Sequence, residues 1–422
     1  MKKLLLFIAA VTITASLQAQ VVNETVSIGS GYANQVWYSL DMGETGSDPK
    51  DNWDLAFQIA GISSAIRVNG LNNHTVWTYP NGDTSQWNNI DTSGHGAWNI
   101  VYDSDSSWGM GAFNRPADLS DPFDLGWGTY NLSTHHVTGD RIFIMRTGAG
   151  VYKKIWILKL AGGTYSFRIA NLDGTNEIDR TIDKTNYNGK VFAYYDIDGD
   201  QNLDREPIGS EWDLLFTQYP AVIPGFGAYP STGVLLAAGV TASRIHPVND
   251  PVTYNDTTTA YQPYINTIGY QWKSYNFGTN GWDIADSTVY LVKLPNRDIW
   301  KMVMTGFGGQ ATGDYEFSKE KIYDHSSTVG IGEYGNASYF LQLYPNPSID
   351  GEVTVAFDLQ GSSARATLRL TNLQGQTVWQ DSPAVVSGLQ TRRYSLHDLP
   401  GGIYFLTLET ESGFQTQRLV IQ

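Results

Sequence analysis

The segment DIDGDQNLDRE places oxygen-bearing side chains at every second position: Asp196, Asp198, Asp200, Asn202 and Asp204. A tightly turning loop can wrap oxygens so spaced around a hard cation at about 2.4 Å. Calcium is therefore one reading, and a solvated acidic hairpin loop that discourages edge pairing is the other. Two further carboxylates, Asp54 and Asp213, lie in matching Trp-Asp-Leu-x-Phe units, Trp53 to Phe57 and Trp212 to Phe216. An Asp entering a strand in this way is expected to accept from turn amides or an Arg and to serve its hairpin rather than catalysis. The Gly- and Ser-rich stretch WNNIDTSGHGAWNIVYDSDSSWGMGAF holds Trp87, Trp98 and Trp108. They are candidates for a platform under a sugar ring or a porphyrin, with ordinary core packing as the alternative.

Among the seven histidines, His74, His95, His135 and His136 fall in the first half of the chain. Adjacent residues on a strand point to opposite faces, so His135 and His136 cannot both bind one metal ion, whereas His95 paired with either remains a candidate. Solvated loop histidines are the competing reading, since Gly94-His95-Gly96 and Thr134-His135-His136 both look like loop sequence. Gly-x-Ser-x-Gly, His-Glu-x-x-His, Gly-Lys-Ser/Thr and dinucleotide fingerprints are all missing from the sequence. Carboxylates are abundant, but nothing singles out a pair for glycoside hydrolysis. The expectation is a non-catalytic binding protein, with a surface adhesin or carbohydrate binder as the alternative and a secreted hydrolase third.

These residues must be positioned by a chain of 422 residues, long enough for two to four domains. Apolar residues at 41% against 16% charged exclude a disordered chain, and 43 Gly with 25 Tyr and 13 Trp favour turn-rich β-structure over helical bundles. Lys2 and Lys3, the apolar run from Leu4 and the small residues ending at Ala19 read as a signal peptide over 1–19. Cysteine is absent, which excludes disulfides, thiolate metal sites and a lipid-attachment thiol. The formal charge of −15 makes nucleic acid and anionic membrane poor partners.

Two sets of landmarks occur twice in the same order. VWYSLDMGETGSDPKDNWDLAFQ from Val36 pairs with VFAYYDIDGDQNLDREPIGSEWDLLFTQY from Val191. DRIFIMRTGAGVYKKIWILKLAGGTYSFRIAN from Asp140 pairs with STVYLVKLPNRDIWKMVMTGFGGQATGDYEFSK from Ser287. Each pair predicts a hairpin followed by a β-meander. The recurrence, about 155 and about 147 residues apart, predicts tandem β-domains over 20–187 and 188–325. A polar linker over 326–338 and seven or so short strands in a sandwich over 339–422 follow.

That last segment resembles the type A C-terminal sorting domain of the type IX secretion system of Bacteroidota. The likeness rests on Tyr344-Pro345-Asn346-Pro347, Gly351, Leu373-Gln374-Gly375-Gln376, Leu399-Pro400-Gly401-Gly402-Ile403-Tyr404 and Arg418-Leu419-Val420-Ile421. It implies an Ig-like sandwich, export to the medium or the outer-membrane surface, and the secretion translocon as partner. Pro345 and Pro347 remove two ladder donors, so the segment is expected to fold as its own unit. The two repeats resemble the HmuY-like family of extracytoplasmic haem-binding β-proteins, through the acidic turn and Trp-Asp-Leu-x-Phe in each copy and the strands from Arg141 and Thr288. That likeness implies haem as cofactor and makes His95, His135 and His136 the candidate ligands, although the second copy has no matching His. The acidic loop resembles the calcium loops of integrin-type repeats, with Gln201 where those have Gly. The fold expected is all-β: two HmuY-like antiparallel domains and a C-terminal sandwich.

Overall fold

The structure, a computed structural model, describes residues 21–60, 64–223, 227–325, 340–348, 351–359, 366–373, 376–383, 388–410 and 413–422. The expected signal peptide and the linker over 326–338 lie outside these residues, as do Gln374 and Gly375. The expected all-β class is what the chain adopts: beyond short 3-10 turns, the described residues contain one helical turn, Gly309–Thr312.

The first repeat supplies β1 (Val22–Ser27), β2 (Asn34–Ser39), β3 (Gly43–Pro49), β4 (Leu55–Gln58), β5 (Ile66–Val68) and β6 (Thr75–Thr78). After β7 (Ile100–Val101), β8 (Gly128–Asn131) and β9 (His136–Gly139) it ends in a meander, β10 (Phe143–Arg146), β11 (Tyr152–Ala161) and β12 (Thr164–Asn171). The second repeat supplies β13 (Ile178–Asp183), β14 (Phe192–Asp196), β15 (Gln201–Leu203), β16 (Leu214–Ile223), β17 (Gly227–Leu236) and β18 (Thr241–Ile245). A hairpin, β19 (Lys273–Asn276) with β20 (Gly281–Ile284), precedes its own meander, β21 (Val289–Lys293), β22 (Ile299–Phe307) and β23 (Asp314–Tyr323).

The repeats are not two beads on a string. Two meander sheets run β13-β12-β11-β10-β6-β7 and β1-β23-β22-β21-β18, so the first strand of each repeat closes on the last strand of the other. Val22 lies opposite Lys319, and Ile178 opposite Ile169. The two four-stranded sheets, β15-β14-β4-β5 and β17-β16-β2-β3, exchange in the same sense. Leu55 faces Tyr195 and Leu214 faces Tyr38, which are matching positions in the two copies. β13, ahead of the expected boundary at 187/188, holds the same place beside β12 that β1 holds beside β23, and each compact lobe draws strands from both copies.

The cores follow this exchange. One gathers Leu55, Phe57, Phe113, Phe143 and Phe167 of the first repeat with Tyr195 and Ile197 of the second. The other gathers Leu214, Phe216, Tyr315 and Phe317 with Val36, Trp37, Tyr38 and Leu40 of the first. Alternation shows where one face is wet, as in β12; β2 lies between packed layers and is buried from Gln35 to Ser39.

The C-terminal unit packs β24 (Phe340–Tyr344), β25 (Glu352–Leu359) and β28 (Gly388–Ser395) against β26 (Ala366–Thr371), β27 (Thr377–Asp381), β29 (Gly402–Thr410) and β30 (Gly413–Ile421). Val355, Phe357, Leu368, Leu370, Leu406 and Leu419 fill the sandwich. β24 stops at Pro345, and Asn346 ties the turn to the last strand, accepting from Val420 N at 3.0 Å and donating to Arg418 O at 2.7 Å.

Candidate functional site

The Trp-Asp units do at close range what the sheets do globally. Asp54 N–H donates to Tyr195 O at 2.9 Å and its Oδ2 accepts from Ile197 N at 2.7 Å. Asp213 N–H donates to Tyr38 O at 2.8 Å and its Oδ2 accepts from Leu40 N at 2.8 Å. Each Asp thus accepts from a turn amide, as expected, but from the hairpin of the opposite repeat rather than its own. Asp54 also accepts from His74 Nε2 at 2.6 Å, while His74 Nδ1 accepts from Gly148 N at 3.1 Å, so both ring nitrogens are engaged. Burial pushes the Asp54 carboxyl up, but the bonds from His74 and Ile197 outweigh it and leave it below the usual range.

The tryptophans that precede these two Asp residues, Trp53 and Trp212, both line a cavity of about 80 Å3 between the four-stranded sheets. Trp37 of β2 and Tyr194 of β14, again matching positions, line it too. The cavity thus takes matching residues from both copies. Trp108 enters from the loop between β7 and β8, its Nε1 donating to Leu236 O at 2.8 Å and its ring lying 6.0 Å from Phe192 and 6.5 Å from Trp212. At the rim, Gly70 meets Pro220; a Cβ there would stand 3.0 Å from the proline ring. Aromatic rings from both copies thus stand in the cavity wall.

Of its lining residues, Trp53, Trp212 and Tyr219 each carry a buried polar atom, Nε1, Nε1 and Oη, that has no hydrogen-bond partner among the described residues. Leaving a buried donor unmade costs about 1–3 kcal/mol. Behind the wall, Arg205 packs its guanidinium 5.0 Å from the Tyr194 ring and 6.0 Å from those of Trp37 and Trp53. Its side chain is 2% exposed, its Nη2 donates to Pro49 O, and Nε and Nη1 have no hydrogen-bond partner among the described residues. Burial lowers its pKa. Glu206, on the wall, accepts from Val191 N, from Phe192 N at 2.7 Å and from Tyr194 Oη at 2.9 Å; burial nonetheless pushes its carboxyl up to about 7.

The candidate haem ligands are not brought together. His95 Nε2 lies 3.1 Å from Tyr152 Oη at the start of β11, against Trp77 and Trp98. His136 adjoins Val137, which pairs with Leu160 near the far end of that strand, about 26 Å along at 3.3 Å per residue. His135 turns back to Tyr130 Oη at 2.8 Å. No histidine lines the central cavity.

The three candidate platform tryptophans also separate. Trp87, with its Nε1 on Glu177 at 2.8 Å and Lys154 over its ring at 4.7 Å, shares a small outer cluster with Trp98. Trp108 belongs to the central cavity.

In the acidic loop, β14 and β15 form a tight hairpin with Asp196 opposite Gln201. Asp196 accepts from Asp198 N and Gly199 N, and Asn202 donates to Thr181 O. Asp204 pairs with Lys190, and Asp200 pairs with Arg180, which together with Tyr195 Oη holds its carboxyl down to about 2. No cluster of three or more His, Asp or Glu arranged to hold a metal occurs among the described residues.

No curated protein matches the chain. The family model of the secretion system C-terminal sorting domain matches residues 342–422. The tail is a type IX sorting domain. This places the protein outside the cell, secreted or attached to the surface, and makes the secretion machinery a partner of the sorting domain. Tyr344 to Pro347 and the terminal Arg418 to Ile421, widely separated in sequence, meet in the sorting domain through Asn346.

Trp53 and Trp212 were visible as repeated residues, and Trp37 and Tyr194 lay in the same repeated stretches. Arg205 carried no such signal, because it is covered by Trp37, Pro49 and Trp53 of the other copy; Tyr219, packed against Gly233 and Gly269 of its own copy, lies beyond the Trp-Asp-Leu-x-Phe unit that repeats.

Proposed function

We propose that the protein is a non-catalytic binding protein of the cell exterior, delivered by its sorting domain, and that the cavity lined by aromatic residues of both copies is its ligand site. The observation that supports this reading is that one cavity is lined by Trp37, Trp53, Trp108, Tyr194 and Trp212, drawn from both copies, and that Trp53 and Trp212 each carry a buried indole N–H without a hydrogen-bond partner among the described residues. A protein tolerates such groups where an external acceptor completes them. The ligand is small, with an apolar face to lie on the rings and oxygen atoms to accept from the indoles. This is the carbohydrate-binder end of the functions the composition allows. Haem, suggested by the HmuY-like resemblance, is the weaker version, because His95 is separated along β11 from His135 and His136.

The test is a thermal-shift screen of monosaccharides and small organic acids against the wild type and against Trp53→Phe and Trp212→Phe. These substitutions keep a ring and remove a donor. Stabilisation by a ligand subset that is lost in both variants supports the reading. A screen without any stabilising ligand, or stabilisation indifferent to both variants, overturns it.

A further inference from the structure

Beside the inner cavity, and sharing Trp53 and Leu71 with it, an outer cleft of about 590 Å3 lies between the turn ahead of β4, the β5–β6 connection, the β10–β11 turn and the β14–β15 hairpin. That volume falls within the range of small-molecule sites, roughly 300–1,000 Å3. Part of its wall is fixed before anything binds. Asn72 Nδ2 donates to Asp51 O and to Trp53 O, both at 2.9 Å, and His74 is held between Asp54 and Gly148. Gly148 permits this approach, since a Cβ there would stand 2.1 Å from Asn72 O. Other lining groups are uncommitted: the side chains of Asp198 and Asn73 make no hydrogen bond among the described residues, and Gln201 reaches only Asp196, at 3.5 Å.

The two repeats treat the matching position differently. Tyr38 matches Tyr195, so Asp41 matches Asp198; Tyr315 and Phe317 match Tyr165 and Phe167, so Lys321 matches Asn171. Lys321 closes its site from within, with Nζ 2.9 Å from Asp41 and 3.0 Å from Asp298. Asn171 turns away instead, accepting from Lys153 Nζ at 2.9 Å and donating to Thr175 at 2.8 Å. Asp198 is thereby left for an outside partner.

The lining selects among ligand classes. It contains no Lys or Arg, and both ring nitrogens of His74 are engaged, so an anion finds no partner. A cation would meet Asp198 alone: Asp54 accepts from His74 and Ile197 N, Asp196 from Asp198 N and Gly199 N, and Asp51 faces the charges of Lys50 and Arg205. Hydroxyl groups, each a donor and an acceptor, match a wall that mixes acceptor-only carboxylates with amides that do both. We propose that the cleft is a second binding site, separate from the inner cavity, for a neutral polyhydroxylated ligand of one or two pyranose rings. Asp198 accepts from adjacent hydroxyls in charge-assisted bonds, Asn73 and Gln201 bond the hydroxyls beyond, and Leu71 and Leu203 meet the C–H edges of the ring.

Calorimetric titration of the mature full-length protein with glucose, galactose, mannose, cellobiose and lactose, each hexose beside its uronate, tests the inference. At least one neutral sugar is expected to bind, with any matching uronate at least tenfold weaker. Asp198→Ala and Asn73→Gly are each expected to weaken that binding tenfold or more. Both residues are exposed, and glycine keeps the left-handed backbone of Asn73, φ 55°, so neither change threatens the fold. If no neutral sugar binds, if the uronates bind as well, or if both variants bind like the wild type, the inference fails. Binding that Trp212→Phe abolishes while both cleft variants retain it would place the sugar in the inner cavity, overturning the second site and leaving the first.

Discussion

Glu206 is a carboxyl held in the cavity wall by Val191 N, Phe192 N and Tyr194 Oη. Burial lifts its pKa from 4.5 to about 7 despite these three donors. A carboxyl raised on folding binds more protons in the native than in the unfolded state between those two values. Its contribution to stability is complete below about pH 4.5 and is lost as the pH rises through about 7. The change is on the order of 3 kcal/mol. In urea titrations at pH 5 and pH 8, the stability of the wild type relative to Glu206→Gln should therefore be higher at pH 5. An equal difference at both pH values would mean that the carboxyl is solvated. Little of this was legible in sequence, where Asp204-Arg205-Glu206-Pro207 looks like an exposed acidic turn. Asp54 and Asp213 were legible, because their chemistry is local and each occurs beside the same three apolar landmarks.

At the scale of elements, the meanders could be read from alternation, since β11, β12, β22 and β23 each follow their partner in sequence. The pairing of β2 with β16 and of β4 with β14 could not. Short strands buried on both faces carry no register signal that reaches across more than a hundred residues. The Asp pins fix that register. Asp213→Ala removes the acceptor for Leu40 N and leaves a buried donor, so a loss of about 1–3 kcal/mol in denaturant melts is expected. Asp54→Ala removes acceptors for Ile197 N and His74 together and is expected to cost at least as much. A neutral outcome for both would deny the pins their role. β1 has a different job: it covers the edge of β23 from Val22 to Ser27. Deleting residues 21–27 exposes that edge. The shortened protein should melt earlier and self-associate in light scattering, whereas an unchanged midpoint and a monomeric profile would show that the edge needs no cover.

The whole molecule joins an interleaved β-pair to a separately packed sorting domain. Sorting is read from the tail, so a chain ending at residue 338 should remain inside the outer membrane, and protease accessibility on intact cells should fall to background. Undiminished surface exposure would remove the assigned task from residues 342–422. The binding half depends on a second feature, that neither repeat owns a complete core or a complete cavity wall. The most direct test separates the repeats between residues 174 and 175, ahead of β13, as fragments 21–174 and 175–325. Tryptophan fluorescence and near-ultraviolet circular dichroism are then followed through thermal melts of each fragment and of an equimolar mixture. Reciprocal exchange predicts that neither fragment alone is a folded monomer and that mixing produces one cooperative transition in a one-to-one complex. A cooperative melt from either fragment alone, as a monomer, would contradict it.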